Sequence, residues 1–93
     1  MVGGEPFKVR LTSPAIRALG RLPAKLADAV LRFCDGPLAE NPLRVTKPLG
    51  AELAGQRSGL VGIAYRVLVR IDEDARIVYV LRIAHRSDVY RVR

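Results

Sequence analysis

The chain has 93 residues, 49% of them hydrophobic, with one cysteine and no tryptophan. This length predicts one domain over residues 1–93 with a small aliphatic core. A single cysteine excludes an internal disulfide, and the sequence has no signal-like leader and no apolar run of membrane length, so we expect a cytoplasmic protein with no membrane span. Sixteen lysines and arginines against nine acidic residues give a net charge of +7, which favours a polyanionic partner.

The amino-terminal half predicts a strand and two helices. Apolar and basic residues alternate over residues 7–11, which is typical of a half-buried strand. A helix is expected over 13–21, with Ser13 as its N-cap and Ile16 on its apolar face. Apolar residues at helical spacing predict a second helix over 23–38, ended or bent by a Gly-Pro pair. The proline-rich stretch that follows predicts a connection with a short helical turn.

Two strands joined by a short acidic turn are predicted over 63–71 and 76–84. Both carry apolar residues at odd positions, so an antiparallel hairpin with its odd face on the core is expected. A strand, two helices and then further strands predict an α+β fold, with the helical hairpin packed on one face of an antiparallel sheet.

Because the odd positions face the core, the even positions Arg66, Arg70 and Arg82 lie on the opposite face. If Ile71 pairs with Ile77, Arg66 lies directly across from Arg82. Like charges directly opposite each other destabilise a sheet slightly. The arrangement therefore indicates an anion-binding face.

Most site chemistries are excluded by what the chain lacks. One histidine, one cysteine and no carboxylate pair at ligand spacing cannot form a zinc site, so we expect no metal and no cofactor. No glycine-rich stretch matches a phosphate-binding loop. His85, Ser87 and Asp88 are too close in sequence to form a hydrolase triad. Cys34 lies at a helical core position and predicts packing rather than nucleophilic chemistry.

Metal-free handling of an RNA phosphodiester remains possible. RNA carries its own nucleophile, the 2′-hydroxyl, so an enzyme needs a base, cations for the charge on phosphorus and a proton for the leaving oxygen. Arginine forks fit phosphate oxygens, and a tyrosine near cations can transfer a proton. Such a site can be built from Arg66, Arg82, Arg86 and Tyr90. Spacing alone leaves open that these are solvated strand arginines and an edge tyrosine.

The strings "KPLGAELAG" and "YRVLVRIDEDARIVYVLRIAHRSDVY" resemble the toxins of the RelE/ParE superfamily, in particular its RelE branch. The resemblance covers nearly the whole chain and implies a microbial-ribonuclease-like α+β fold. It implies a toxin of a type II toxin–antitoxin system that cleaves mRNA on the ribosome by 2′-hydroxyl attack. The implied catalytic residues are Arg66, Arg86 and Tyr90, and Arg82 has no catalytic role in the family pattern.

The resemblance also implies partners. These are a RelB-like antitoxin, the ribosome with its mRNA, and operator DNA through the antitoxin only. RNA-binding roles are expected for Arg57, Lys47 and Arg82. His85 is expected either to help protonate the leaving group or, because its parity points it to the core side, to be a packed, hydrogen-bonded structural residue.

One stretch departs from the family pattern. Between Gly55 and Tyr65, where RelE-type toxins carry several basic residues, this chain reads "QRSGLVGIA", and only Arg57 is basic. Lost phosphate contacts weaken the grip on RNA by about 1.5–3 kcal/mol each. Two alternatives therefore stay open. One is a ParE-like toxin that inhibits DNA gyrase by binding, and the other is a catalytically weakened toxin that acts mainly in an autoregulatory complex with its antitoxin.

Overall fold

The computed structural model describes residues 5–50 and 55–89 of the chain. The elements are, in chain order, β1 (Lys8–Leu11), α1 (Ser13–Arg21), α2 (Ala24–Phe33), a π-helical turn (Cys34–Leu38), α3 (Pro42–Val45), β2 (Thr46–Pro48), β3 (Arg57–Val61), β4 (Tyr65–Asp72), β5 (Ile77–His85) and α4 (Arg86–Val89). The predicted first strand, the helical hairpin, the short helical turn and the two long strands are all confirmed.

The start of α1 differs from the prediction. Thr12, not Ser13, occupies the N-cap position, and no side chain caps the helix. The Thr12 hydroxyl instead donates to the carbonyls of Val80, at 2.9 Å, and Leu81, at 3.2 Å. These bonds tie the junction between β1 and α1 to β5, so the threonine serves the sheet rather than the helix end.

The second helix does not stop at its Gly-Pro pair. α2 runs on into the π-helical turn, which contains Pro37. Proline has no backbone N–H, and a widened turn accommodates that missing donor. The expected bend is therefore a local change of helix type, and the helical segment still reaches Leu38.

The five strands form one sheet in the order β1-β5-β4-β3-β2. β4 and β5 form the predicted antiparallel hairpin, and the pairs β2–β3 and β3–β4 are also antiparallel, but β1 runs parallel to β5. The α+β class is confirmed with a mixed sheet. β2 and β3 are short and were not predicted individually, because hydrophobic alternation is weak in "TKP" and "RSGLV".

The predicted register of the long hairpin is wrong. Ile71 pairs with Val78 rather than Ile77, and Arg66 pairs with Ala84 rather than Arg82. A bulge at Leu81 of β5, opposite Leu68 and Val69 of β4, shifts the pairing by one residue partway along the hairpin. A bulge places two residues of one strand against one of the other, so parity cannot be carried through it.

The bulge also changes which residues of β5 reach the core. Val78 and Val80, at even positions, are fully buried, and beyond the bulge the odd residue Ile83 is buried. On β4 the odd residues Val67 and Val69 are buried as predicted. These valines pack with residues of α1, α2 and the π-helical turn, namely Ala15, Val30, Cys34 and Leu38.

The helices pack very closely on this face of the sheet. A Cβ atom added at Gly59 of β3 would lie 2.8 Å from a ring carbon of Phe33 and 3.2 Å from the Val45 carbonyl oxygen. In contrast, Ile16 is 57% exposed, so its predicted place on the apolar face of α1 is wrong. Ala15 is fully buried and contacts the core in its place. No helix in the described part of the chain is long and apolar enough to cross a membrane.

Candidate functional site

The sheet face away from the helices carries a set of basic residues, which we call the arginine face. Register and strand alternation place these residues together. Arg66 and Arg70 come from β4, Arg82 from β5 and Lys47 from β2. The predicted grouping of Arg66, Arg70 and Arg82 on the face opposite the core is therefore confirmed, although the predicted pairing between them is not.

Two cross-strand rows organise the centre of the arginine face. One row is Lys47–Ser58–Leu68–Arg82 and the next is Leu60–Arg66–Ala84. Leu68 and Ser58 are buried, whereas Lys47 and Arg82 are exposed at either end of their row. The centre of the face is thus a small buried floor with cations around it.

Arg66 is the most unusual residue of this face. Its side chain is half-buried, and its Nε atom is buried without a hydrogen-bond partner in the part of the chain that the structure describes. A buried donor without an acceptor costs about 1–3 kcal/mol, and more when it is charged. A phosphate oxygen is the kind of acceptor that satisfies such a donor.

The end of β5 brings the "HRSDV" segment beside the start of β4. Tyr65 pairs with His85, and the Arg86 N–H donates to the Ala64 carbonyl at 2.6 Å. Arg86 is exposed in the first position of α4. The backbone of Arg86 is therefore anchored to the residue two positions before Arg66.

His85 lies on the helix side of the sheet end and is half-buried there. Its ring meets Tyr65 edge to face, with ring centroids 5.4 Å apart. Its Nδ1 lies 2.8 Å from the Ser87 hydroxyl and accepts the Ser87 backbone N–H at 3.2 Å. Because His85 immediately precedes α4, this bond has the geometry of an N-cap.

Arg57 lies apart from the arginine face. Its Nε donates to the Thr46 hydroxyl at 2.8 Å, and its Nη2 donates to the carbonyls of Thr46, at 2.8 Å, and Leu43, at 3.3 Å. Arg57 lies two residues from Gly59 on β3, so both are on the face that packs against the helices. Its hydrogen bonds connect β3 to β2 and α3. An RNA-binding role for Arg57 stays a prediction, beside this structural one.

Of the expected site residues, the sheet brings together Arg66, Arg82, Lys47 and the backbone of Arg86. Tyr90 lies outside the described residues. Sequence reasoning missed Arg10, which shares a row with Tyr79 and Arg70 through the parallel β1–β5 pairing. Alternation in residues 7–11 indicated a basic face for β1, but nothing in the sequence indicated which strand β1 would join.

The remaining reactive groups offer little other chemistry. Cys34 is buried, and its burial, with the nearby Asp35 charge, raises the pKa of its thiol to about 11. A thiol with such a pKa is protonated near neutral pH and is a poor nucleophile. Within residues 5–50 and 55–89, no three His, Cys, Asp or Glu residues are grouped so that they could hold a metal ion.

Comparison with known proteins places this fold and this set of residues in a family. The model of the ParE toxin of the type II toxin–antitoxin system parDE matches residues 9–90. The chain belongs to the RelE/ParE family of type II toxin–antitoxin toxins. The resemblance stated from the sequence is thereby confirmed.

The relatives fall on the RelE side of this family. Toxin RelG of Mycobacterium tuberculosis is 48% identical to this toxin over 86 residues, which cover 92% of this chain and 98% of the relative. Toxin RelE of the same organism is 42% identical over 92 residues, which cover 99% of this chain and 94% of the relative. A chain in the crystal structure of the M. tuberculosis toxin–antitoxin complex RelBE2 is 46% identical, with a TM-score of 0.82 over 86% of this chain and 98% of that one.

Proposed function

We propose that this toxin is a ribosome-dependent mRNA endonuclease that cleaves without a metal. The observation that carries the proposal is Arg66, whose buried Nε has no acceptor among the described residues and which belongs to a face ringed by cations. That arrangement suits a phosphodiester, whose oxygens accept hydrogen bonds and carry negative charge. Membership of the RelE/ParE family and 42–48% identity to RelE and RelG support it.

In the proposed reaction the mRNA 2′-hydroxyl attacks the adjacent phosphorus. The P–O5′ bond breaks, leaving a 2′,3′-cyclic phosphate on one product and a 5′-hydroxyl on the other. Arg66 and Arg86 stabilise the charge that develops on the phosphoryl oxygens. Tyr90 takes part in proton transfer, as the family resemblance implies. Lys47 and Arg82, exposed at the ends of their row, contact neighbouring phosphates.

The ribosome has a specific place in this proposal. The arginine face supplies cations, but neither of the residues that pair with Arg66, Leu60 and Ala84, can act as a base. Orienting the mRNA for in-line attack is then the main demand on catalysis, and positioning of this kind contributes several kcal/mol. The ribosome holds mRNA in a fixed path, so the toxin acts in the cytoplasm on translated messages.

We also propose a RelB-like antitoxin as the partner that inhibits the toxin, with operator DNA bound through the antitoxin only. The similar M. tuberculosis chain was crystallised in a toxin–antitoxin complex. A net charge of +7 suits an acidic partner segment.

A second function is favoured by a different observation. Leu60 and Ile63 are 47% and 85% exposed, beside Arg66 and in the turn before β4, where the family pattern has charge. Exposed apolar residues at a charged site favour protein binding. They support the alternative of a ParE-like inhibitor that binds DNA gyrase.

One paired experiment separates the two functions. New 5′ ends are mapped on an mRNA translated in vitro with and without the toxin, and gyrase cleavage complexes are assayed beside it. We expect discrete new 5′ ends that appear only when ribosomes are present and that are absent with Arg66→Ala. Trapped gyrase complexes without new mRNA ends would instead support the binding function.

A further inference from the structure

A third cross-strand row of the arginine face joins β1, β5 and β4, and its members are Arg10, Tyr79 and Arg70. Val78 and Val80, on either side of Tyr79 in β5, are fully buried on the helix side. Because side chains alternate along a strand, the Tyr79 ring lies on the arginine face, where it is half-buried. This row lies about 13 Å along β4 from Arg66. The proposed function gives it no role.

An open hollow of about 490 Å³ lies beside Tyr79. Arg70 forms one wall of the hollow, and the acidic turn between β4 and β5 forms another. The Arg70 guanidinium extends over Gly55, because a Cβ atom added at that glycine would lie 2.9 Å from Nη1 of Arg70. Sites for small ligands commonly have volumes in this range. The tyrosine ring is therefore accessible beside a space that a planar group can enter.

Charges of opposite sign lie on the two sides of Tyr79. On the β1 side, Lys8 and Arg10 are exposed on the same face of the strand, about 7 Å apart. On the other side, the carboxylates of the turn outnumber the single charge of Arg70, and they belong to Asp72, Glu73 and Asp74. A ligand of this row therefore needs an anionic group at β1 and a group without negative charge in the hollow.

A nucleotide of single-stranded RNA has these properties in the same order, from an anionic phosphate to a neutral, planar base. Bases stack on aromatic rings, and arginines bind phosphate oxygens. The carboxylates of the turn repel phosphate, but they accept hydrogen bonds from the amino groups that bases carry. An acidic peptide would pair with Lys8 and Arg10, yet its carboxylates bring no planar group to Tyr79. The row therefore fits RNA better than an acidic protein segment.

We propose that this row is a second nucleotide-binding subsite, where a base of single-stranded mRNA stacks on Tyr79 and its phosphate binds Arg10. The proposal rests on the proposed function, which supplies mRNA as the substrate. The subsite adds affinity and fixes the path of the mRNA across the sheet, but at about 13 Å from Arg66 it takes no part in the chemical step. It also offsets the basic residues that the chain lacks between Gly55 and Tyr65.

The test measures RNA binding to the full-length toxin without ribosomes, by fluorescence anisotropy. The probe is a short labelled oligocytidylate with 2′-O-methyl groups, so that it cannot be cleaved, and its partner is an abasic oligomer of the same length and charge. Tyr79→Leu removes the stacking ring and Tyr79→Phe keeps it, while Tyr65→Leu is the matched control on the helix side of the sheet. Arg10→Gln removes the phosphate contact, and Lys25→Gln on α2 is its charge-matched control. Circular dichroism checks that each variant is folded.

We expect the wild-type toxin to bind the oligocytidylate about 5-fold or more tightly than the abasic oligomer, the effect of one stacked base. That ratio should persist in Tyr79→Phe and Tyr65→Leu and fall below about 2-fold in Tyr79→Leu. Arg10→Gln should weaken the binding of both oligomers and reduce the salt dependence by about one phosphate contact, whereas Lys25→Gln should not.

Four results would overturn the subsite. These are equal wild-type binding of the two oligomers, an unchanged ratio in Tyr79→Leu, equal effects of Arg10→Gln and Lys25→Gln, and no saturation below about 1 mM. Tighter, Tyr79-dependent binding of an oligoglutamate peptide would assign the row to an acidic protein segment instead.

The cleavage assay on ribosomes keeps the two proposals separable. Base-dependent binding at Tyr79 without any mRNA cleavage would overturn the proposed function alone. Ribosome-dependent cleavage without base-dependent binding at Tyr79 would overturn the subsite alone.

Discussion

Arg66 and Val67 are neighbours on β4, yet they belong to opposite faces of the sheet with opposite properties. Val67 is fully buried in a core of valines and small helical residues. Arg66 keeps a buried donor without an acceptor in the described chain. One face is built for stability, and the other retains an unfavourable arrangement that a bound anion would relieve. Substitutions on the two faces should therefore separate activity from folding.

Among substitutions of exposed residues, the largest effect is expected from Arg86→Ala. Loss of one preorganised charge donor should lower single-turnover mRNA cleavage on programmed ribosomes by about 100-fold. Arg86 is exposed, so the free energy of unfolding should change by less than about 0.5 kcal/mol. Arg70→Ala is the matched control, because Arg70 is an exposed arginine of the same face near the hairpin turn and should have a much smaller effect. Equal losses of cleavage in the two variants would contradict a special catalytic role for Arg86.

Val67→Ala should show the reverse pattern. Removing two buried methyl groups should lower the free energy of unfolding by about 2 kcal/mol, measured by urea denaturation. Cleavage per folded molecule should stay near the wild-type rate. Leu60→Ala is the control on the other face, where the side chain is half exposed and the loss of stability should be smaller. A large loss of cleavage at full folding in Val67→Ala would contradict the division between the faces.

Arg57 and Lys47 differ on one point, because both are expected RNA contacts but, within the described part of the chain, side-chain hydrogen bonds hold Arg57 and not Lys47. Arg57→Ala should destabilise the fold by about 1–2 kcal/mol through its lost bonds to Thr46 and Leu43. Arg57→Lys should not restore stability, since lysine lacks the planar fork of donors. Lys47→Ala should leave stability unchanged and reduce the salt dependence of RNA binding by about one phosphate contact. Identical behaviour of the two residues would argue against a structural role for Arg57.

The smallest effect concerns His85. If it caps α4, His85→Ala should lower cleavage about 5-fold by loosening the helix that carries Arg86, a cost of about 1 kcal/mol. His85→Asn should restore most of the rate, because an asparagine oxygen can accept the Ser87 N–H in the same position. Equal, large losses in both variants would favour proton transfer by His85.

Sequence periodicity predicted which segments form this fold, and it did so where alternation was strong. The two long strands, both helices and the basic face emerged from apolar and charged positions alone. The register did not, because the bulge opposite Leu68 and Val69 inserts one residue that no composition signal marks. The placement of β1 beside β5 likewise depends on the packing of the whole sheet.

The site was predicted less evenly. The alternation of odd and even positions placed Arg66, Arg70 and Arg82 on one face of the sheet, and only the family resemblance distinguished their roles. The hydrogen bonds of Arg57 could not be predicted, since they depend on two short strands that have almost no hydrophobic pattern. The cap at His85 follows from the point where β5 ends and α4 begins, which the sequence leaves uncertain by a few residues.

Arg66→Ala tests most directly whether the arginine face performs chemistry on RNA. Single-turnover cleavage on programmed ribosomes and urea unfolding are measured on the same preparation. We expect the cleavage rate to fall about 100-fold while the free energy of unfolding stays the same or rises, because a buried donor without an acceptor is removed. Cleavage at the wild-type rate in folded Arg66→Ala would contradict RNA chemistry at this face.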